Sequence, residues 1–347
     1  SGNNTLTFTT ATGILDMTGG TLNMYGAITF GSNSGCQMNF TGGTINVDPQ
    51  SINLGTATAF TLGSLTYVNW TGGDLVIADP HNAVGGTSFS CTANTGIKKM
   101  SGGSIRLGLD TSTTVGATGN TAGFAITSAG MIINNLIINN RAETYASRMA
   151  RISGTTYVRK LTINSTGYLF TGSSTTGYAL VITDSIVNNG TLAGCEPSGS
   201  QAIGTVQIGS KNPAITKVVS GSGTFSRLGS LSIADTVGVA FSQTNQYNCT
   251  RLNGFYGNIT GANKISIGLG IADPVIQFGG TGQTVPATIL DAAPTINKGS
   301  YKYQIVYLQE RGVRTTGFEI PTSDRTVNKI TVNRSEEHTS ELQSQFR

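Results

Sequence analysis

Charge is scarce in this chain. Asp, Glu, Lys and Arg make up 11% of its 347 residues, and 21 basic against 17 acidic side chains leave a net charge of +4. The Lys and Arg residues are scattered, so the basic stripe of a nucleic-acid-binding surface is missing. No run of about 18 apolar residues occurs, which excludes a helical membrane span. Ser1 opens the chain without a basic, apolar leader, as expected after removal of a signal peptide or in a fragment. Histidine occurs twice, at His81 and His338, too rarely to furnish a Ser/His/Asp set with anything to orient it. Cys36, Cys91, Cys195 and Cys249 lie far apart with no CxxC pair, which excludes a zinc knuckle or thioredoxin-type motif. They read as small buried apolar residues or, in an oxidising compartment, as disulfides between adjacent turns.

Turn formers are abundant instead. With 47 glycines and many Ser, Thr and Asn, the chain favours strands and turns, because these residues lose to Ala or Leu in a helix interior. No segment sustains a capped 3.6-residue period, so almost no helix is expected. The hydrophobic fraction, 37%, is too high and too regularly placed for disorder.

One motif recurs. Met17-Thr18-Gly19-Gly20-Thr21-Leu22-Asn23-Met24 is echoed at 40–47, 70–77 and 100–107, with first glycines at Gly19, Gly42, Gly72 and Gly102. The second glycines are Gly20, Gly43, Gly73 and Gly103, and the interval from one copy to the next is that of a solenoid turn. After each pair, apolar residues two apart (Leu22 and Met24, Ile45 and Val47, Leu75 and Ile77, Ile105 and Leu107) mark one face of a strand. A large apolar residue precedes each pair. Two strands thus share an interior across a corner where glycine supplies backbone angles closed to other residues. One unit cannot bury its own face, but a stack can. The expected fold is therefore all-β, a parallel β-helix or β-solenoid.

Beyond about residue 125 a looser pattern takes over: apolar, spacer, apolar, as in Leu136-Ile137-Ile138, Leu161-Thr162-Ile163, Leu231-Ser232-Ile233 and Ile265-Ser266-Ile267. Asn after such strands can form a hydrogen-bonding ladder between coils, or simply serve the turn. The run Tyr301 to Leu308 alternates like one longer strand. The expected organisation is a Gly-Gly-cornered solenoid over 1–125 and a looser continuation over 126–333. Residues 334–347 differ in composition, and the stretch from Arg334 to Ser344 resembles a translated sequencing adapter. They are set aside as an artefactual tail.

The chemistry-bearing candidates are few. Asp74, Asp79 and His81 form the nearest approach to a cluster, with His81 as a base beside Asp79 or the acids as a Ca²⁺ site. Asp79-Pro80-His81-Asn82 is equally an ordinary solvated turn. Arg148, Arg151 and Arg159 could hold an acidic sugar or keep a loop soluble. Tyr301 and Tyr303 could stack on sugars or pack within a sheet. No catalytic set is assigned, and no cofactor other than that Ca²⁺ is expected.

The Thr-Gly-Gly-Thr-Leu-Asn copies, Asn134 to Asn140, and Phe278-Gly279-Gly280-Thr281-Gly282-Gln283-Thr284-Val285-Pro286-Ala287 resemble the large glycine-rich strand-repeat surface proteins of Bacteroidetes-like bacteria, themselves similar to parallel β-helix adhesins. The resemblance implies export to the cell surface or medium, and the expected role is adhesive or structural, with surface polysaccharide or other cell-surface components as partners. The alternatives are a carbohydrate-active β-helix enzyme, a lyase or hydrolase, and a carbohydrate-binding module.

Overall fold

Strand alternation is strict around each Gly-Gly pair. In Gln37–Phe40 and Thr44–Val47, Met38, Phe40, Ile45 and Val47 are fully buried, while the residues between them face outward. The chain turns through Gly43 at φ 91°, a left-handed value open to glycine. The same strand-corner-strand unit recurs in Ile14–Met17 with Thr21–Met24, Tyr67–Trp70 with Asp74–Ile77, and Lys98–Met100 with Ser104–Leu107.

These observations come from a computed structural model that describes residues 5–9, 13–47, 58–78, 87–92, 98–108, 123–139, 149–172, 176–195, 204–209, 217–234, 237–252 and 259–267, with backbone alone for 253–256, 275–278, 302–305, 308–310, 313–315 and 318–321.

A third strand per coil carries no glycine signature. Leu6–Phe8, Ile28–Phe30, Phe60–Leu62 and Phe89–Cys91 pair in parallel, with Leu6 beside Ile28, Ile28 beside Phe60, and Phe60 beside Phe89. Each reads apolar, hydroxyl, apolar, so Thr7, Thr29, Thr61 and Ser90 form an outward column over a buried pair of columns. Each coil therefore has three walls. The first wall holds these triplets, the second wall the strands before Gly-Gly, and the third wall the strands after it. Parallel pairing joins each wall from coil to coil.

The corners change in coil 5. Phe124–Ile138 is a single 15-residue strand that runs along all three walls, pairing Phe89 with Ile126 on the first and Ile105 with Leu136 on the third. Ala150–Ile163 repeats this path beside it, with register shifts where the chain bends. Ala179–Asn188 spans the second and third walls, and Thr224–Ala234 and Tyr247–Tyr256 the first and second. The third wall continues through Lys217–Ser220, Val239–Phe241 and Ile259–Thr260, which makes ten coils with all three walls among the described residues, and Ile265–Ile267 and Val275–Phe278 begin an eleventh on the first and second walls. Coil length on this wall is uneven: the step from Ile186 to its partner Val219 is more than half as long again as the step from Val239 to Ile259. A fixed repeat of about 25 residues is therefore only an average.

One continuous apolar cluster runs through the stack, from Met17 to Ile267. Aromatic rings line it in columns: Phe8 stacks on Phe30 with centroids 4.5 Å apart, Phe40 lies 5.1 Å from Trp70, and Phe225 stacks on Tyr247 at 4.8 Å. Such ladders are the reward of parallel in-register stacking, since each ring meets its counterpart one coil on. All four cysteines are buried and none is in a disulfide, and Cys36, Cys91 and Cys249 belong to this cluster.

The only helical turn among the described residues is the 3₁₀ segment Ala262–Lys264. Past the strand Val275–Phe278 the described pairing changes sense. Lys302–Ile305 pairs antiparallel with Phe318–Pro321, and Leu308–Glu310 with Val313–Thr315. The alternation seen over 301–308 thus resolves into two short strands, with residues 306 and 307 outside the described residues.

Candidate functional site: a polar strip along the third wall

Parallel stacking turns positions a full coil apart in the sequence into neighbours. On the third wall the outward column runs Thr21, Thr44, Asp74, Ser104, Asn135, Lys160 and Ser185. The next outward column runs Asn23, Asn46, Val76, Arg106, Ile137 and Thr162. Polar groups concentrate where the two cross coils 3 to 6. Arg106 Nη2 lies 3.3 Å from Asp74 Oδ2, and Ser104 Oγ donates to Asp74 Oδ1 at 2.5 Å. Asn134 Nδ2 donates to the Gly103 carbonyl at 3.0 Å and Arg159 Nη1 to Asn134 Oδ1 at 3.4 Å. The strip thus joins Asp74, Arg106, Asn134, Arg159 and Lys160 on one face.

The sequence candidates divide in space. Asp74 belongs to the strip, while Asp79 and His81 lie outside the described residues, in the connection from the third wall of coil 3 to the first wall of coil 4. The proposed Ca²⁺ site depends on that connection. No group of three or more His, Cys, Asp and Glu side chains able to hold a metal occurs among the described residues. Arg159 sits on the strip, but Arg151 is an outward residue of the first wall, beside Ala125 and Phe170. Arg148 and Tyr301 lie outside the described residues, and Tyr303 belongs to the antiparallel strand Lys302–Ile305. The corner glycines Gly19 to Gly103 stand where the motif puts them.

Asp74 is committed to Ser104 and Arg106, which hold it as an acceptor. Glycoside hydrolysis by paired carboxylates needs two of them about 5–9.5 Å apart across the bond. The described carboxylates Asp16, Asp74 and Asp184 occupy coils 1, 3 and 7, and at about 4.8 Å per coil the nearer two are already separated by two coils and a corner. This face presents two guanidinium groups, an ammonium and amides.

Sequence reasoning missed one feature and left a second open. Lys98 occupies the inward column Leu15, Met38, Val68, Lys98 of the second wall, and is 3% exposed. Its Nζ donates to the Ser64 carbonyl at 2.8 Å. Burial lowers its pKa, with Cys91 opposing, and burial pushes the Cys91 thiol up to about 12. Column position was the available signal, since Lys98 stands two residues before Met100 as Met38 stands before Phe40. The second is the Asn pairs. Asn46 Nδ2 donates to Asn23 Oδ1 at 2.8 Å on the open face, and Asn164 Nδ2 donates to Asn139 Oδ1 at the end of the third wall. The ladder reading of Asn after the strand therefore holds at Asn139 and Asn164.

No helix among the described residues is long and apolar enough to cross a membrane. No protein-family model matches the chain, and searches of the curated proteins and of the solved structures found no match.

Proposed function

We propose that this chain is a structural or adhesive shaft of an extracellular bacterial surface protein, non-catalytic, that carries binding groups away from a cell. The observation that supports this reading is continuity: the parallel ladders of the first and third walls run through ten coils although the corner chemistry changes at coil 5, where the second wall's ladder alone is interrupted between Lys98–Met100 and Phe124–Ile138. At about 4.8 Å per coil the stack is roughly 45 Å long. Apart from that one break, each strand is tied to the next coil by backbone hydrogen bonds, which makes a rod stiff along its axis. The strip of Arg106, Arg159 and Lys160 gives such a rod a lateral surface for an acidic polysaccharide, because guanidinium groups bind carboxylates by charge-assisted hydrogen bonds. Export and surface attachment rest on the resemblance to strand-repeat surface proteins.

The test is a panel of acidic and neutral polysaccharides, scored for binding and for depolymerisation with and without Ca²⁺. Binding to acidic chains without new chain ends, weakened by Arg159→Ala, is the expected result. Depolymerisation lost on changing Asp74, Asp79 or His81 to Ala would replace this reading with a carbohydrate-active enzyme.

A further inference from the structure

Coil 1 is built like an interior coil. Its strands Leu6–Phe8, Ile14–Met17 and Thr21–Met24 each have a single neighbour among the described residues, the matching strand of coil 2. Leu6, Phe8, Leu15, Leu22 and Met24 point inward yet are only partly buried, whereas Ile28, Phe30, Met38, Ile45 and Val47, one coil on, are fully buried.

The corner glycines say what belongs on that face. A Cβ on Gly42 would lie 2.6 Å from the Thr18 carbonyl oxygen, and on Gly72 or Gly102 it would run into the Thr41 or Thr71 carbonyl. None of these first glycines has a left-handed φ. In each copy, glycine is required by the backbone of the coil on its N-terminal side. Gly19 holds the same place, also without a left-handed φ, and a Cβ there would meet nothing within 4 Å. No described residue demands a glycine at this position, and a preceding coil would.

The amides agree. Those of Thr41 and Thr44 donate to Met17 and Gly20, those of Thr71 and Asp74 to Phe40 and Gly43, and those of Ser101 and Ser104 to Trp70 and Gly73, all at 2.8–3.1 Å. The amides of Thr18 and Thr21 take the equivalent place on the open face.

We propose that the N-terminal face of coil 1 seats one further parallel coil with a Gly-Gly corner, supplied by polypeptide that precedes Ser1 in the natural chain. A second copy stacked head to tail would have to present its C-terminal face. There the antiparallel strands Lys302–Ile305 and Leu308–Glu310 already lie against Ile259–Thr260 and Ile265–Ile267.

The natural reading frame upstream of the Ser1 codon, and the chain extended by the residues it encodes, test this. The frame should encode a Gly-Gly pair about 20 to 35 residues before Gly19, with apolar residues two apart on both sides. Gly19→Ala should shift the melting temperature by less than about 1 °C in the present chain and lower it by at least about 3 °C in the extended chain, the loss expected of Gly42→Ala in both. A start codon or signal-peptide cleavage site adjoining Ser1, or equal tolerance of Gly19→Ala in both chains, would overturn the proposal. So would a concentration-dependent dimer of the present chain that Gly19→Ala dissociates, since that assigns the face to a second copy.

Discussion

The two halves of the solenoid solve one problem, turning from the second wall to the third, in different ways. In coils 1 to 4 the turn is made at Gly20, Gly43, Gly73 and Gly103, all with left-handed φ between 71° and 91°. In coils 5 to 7 the same register position is held by Asn134, Arg159 and Asp184, inside strands that continue through the bend. A tight corner packs each backbone onto the carbonyls of the last and leaves no room for a side chain. A gradual bend keeps extended angles and frees the position to carry a polar group outward. The polar strip starts beside the last two glycine corners with Asp74 and Arg106, and where the glycines end Asn134 and Arg159 extend it onto the corner position itself.

Exchanging the two solutions gives the largest expected effect. Gly103→Asn places a Cβ against the Gly73 carbonyl and the Trp70 ring, and should cost at least about 3 kcal/mol in denaturant unfolding. The reverse change, Asn134→Gly, should cost only about 1 kcal/mol, from lost hydrogen bonds and added chain entropy. Comparable losses from the two would show that the corners do not differ as described.

The asparagines sharpen the contrast. Asn188 is buried, donates to the Thr224 carbonyl at 2.9 Å and accepts from the Gly190 amide, so Asn188→Ala should cost about 1–3 kcal/mol. Asn46→Ala, which removes a solvent-facing Asn pair from the first half, should stay within about 0.5 kcal/mol by the same measurement.

Lys98 is a misfit within the glycine-cornered half. Its folded pKa lies below its ordinary value of 10.5, so the unfolded chain binds its proton more tightly and the charged form opposes folding. Lys98→Met, which restores the apolar column, should stabilise the protein by about 1 kcal/mol at neutral pH. The penalty fades as pH rises through the lowered folded pKa and is gone above 10.5. The gap in melting temperature between wild type and Lys98→Met should narrow accordingly on raising the pH.

A small effect also belongs to the Asp74–Arg106 pair. Both side chains are about one-third exposed, at 36% and 32%, and a double-mutant cycle should give a coupling of about 0–1 kcal/mol that shrinks with added salt.

Much of this was legible along the chain. The Gly-Gly spacing marked two of three strands in each early coil, since the left-handed turn at Gly43 needs glycine and the apolar residues two apart on either side need one interior. The first wall was harder to read because Leu6-Thr7-Phe8, Ile28-Thr29-Phe30 and Phe60-Thr61-Leu62 are short, lack a glycine marker and recur at unequal intervals. Arg151 and Arg159 looked like one cluster because they are close in sequence, yet a bent strand puts them on different walls. Asp74, Arg106 and Arg159, far apart in sequence, share the strip.

Local backbone chemistry therefore determined from sequence alone that this chain would be all-β, stacked and parallel, because glycine corners and a two-residue period act within a few residues. Which side chains became neighbours was decided only by tertiary structure. Lateral contact in a solenoid depends on the register between coils, which here differ in length, and no local rule sets that length.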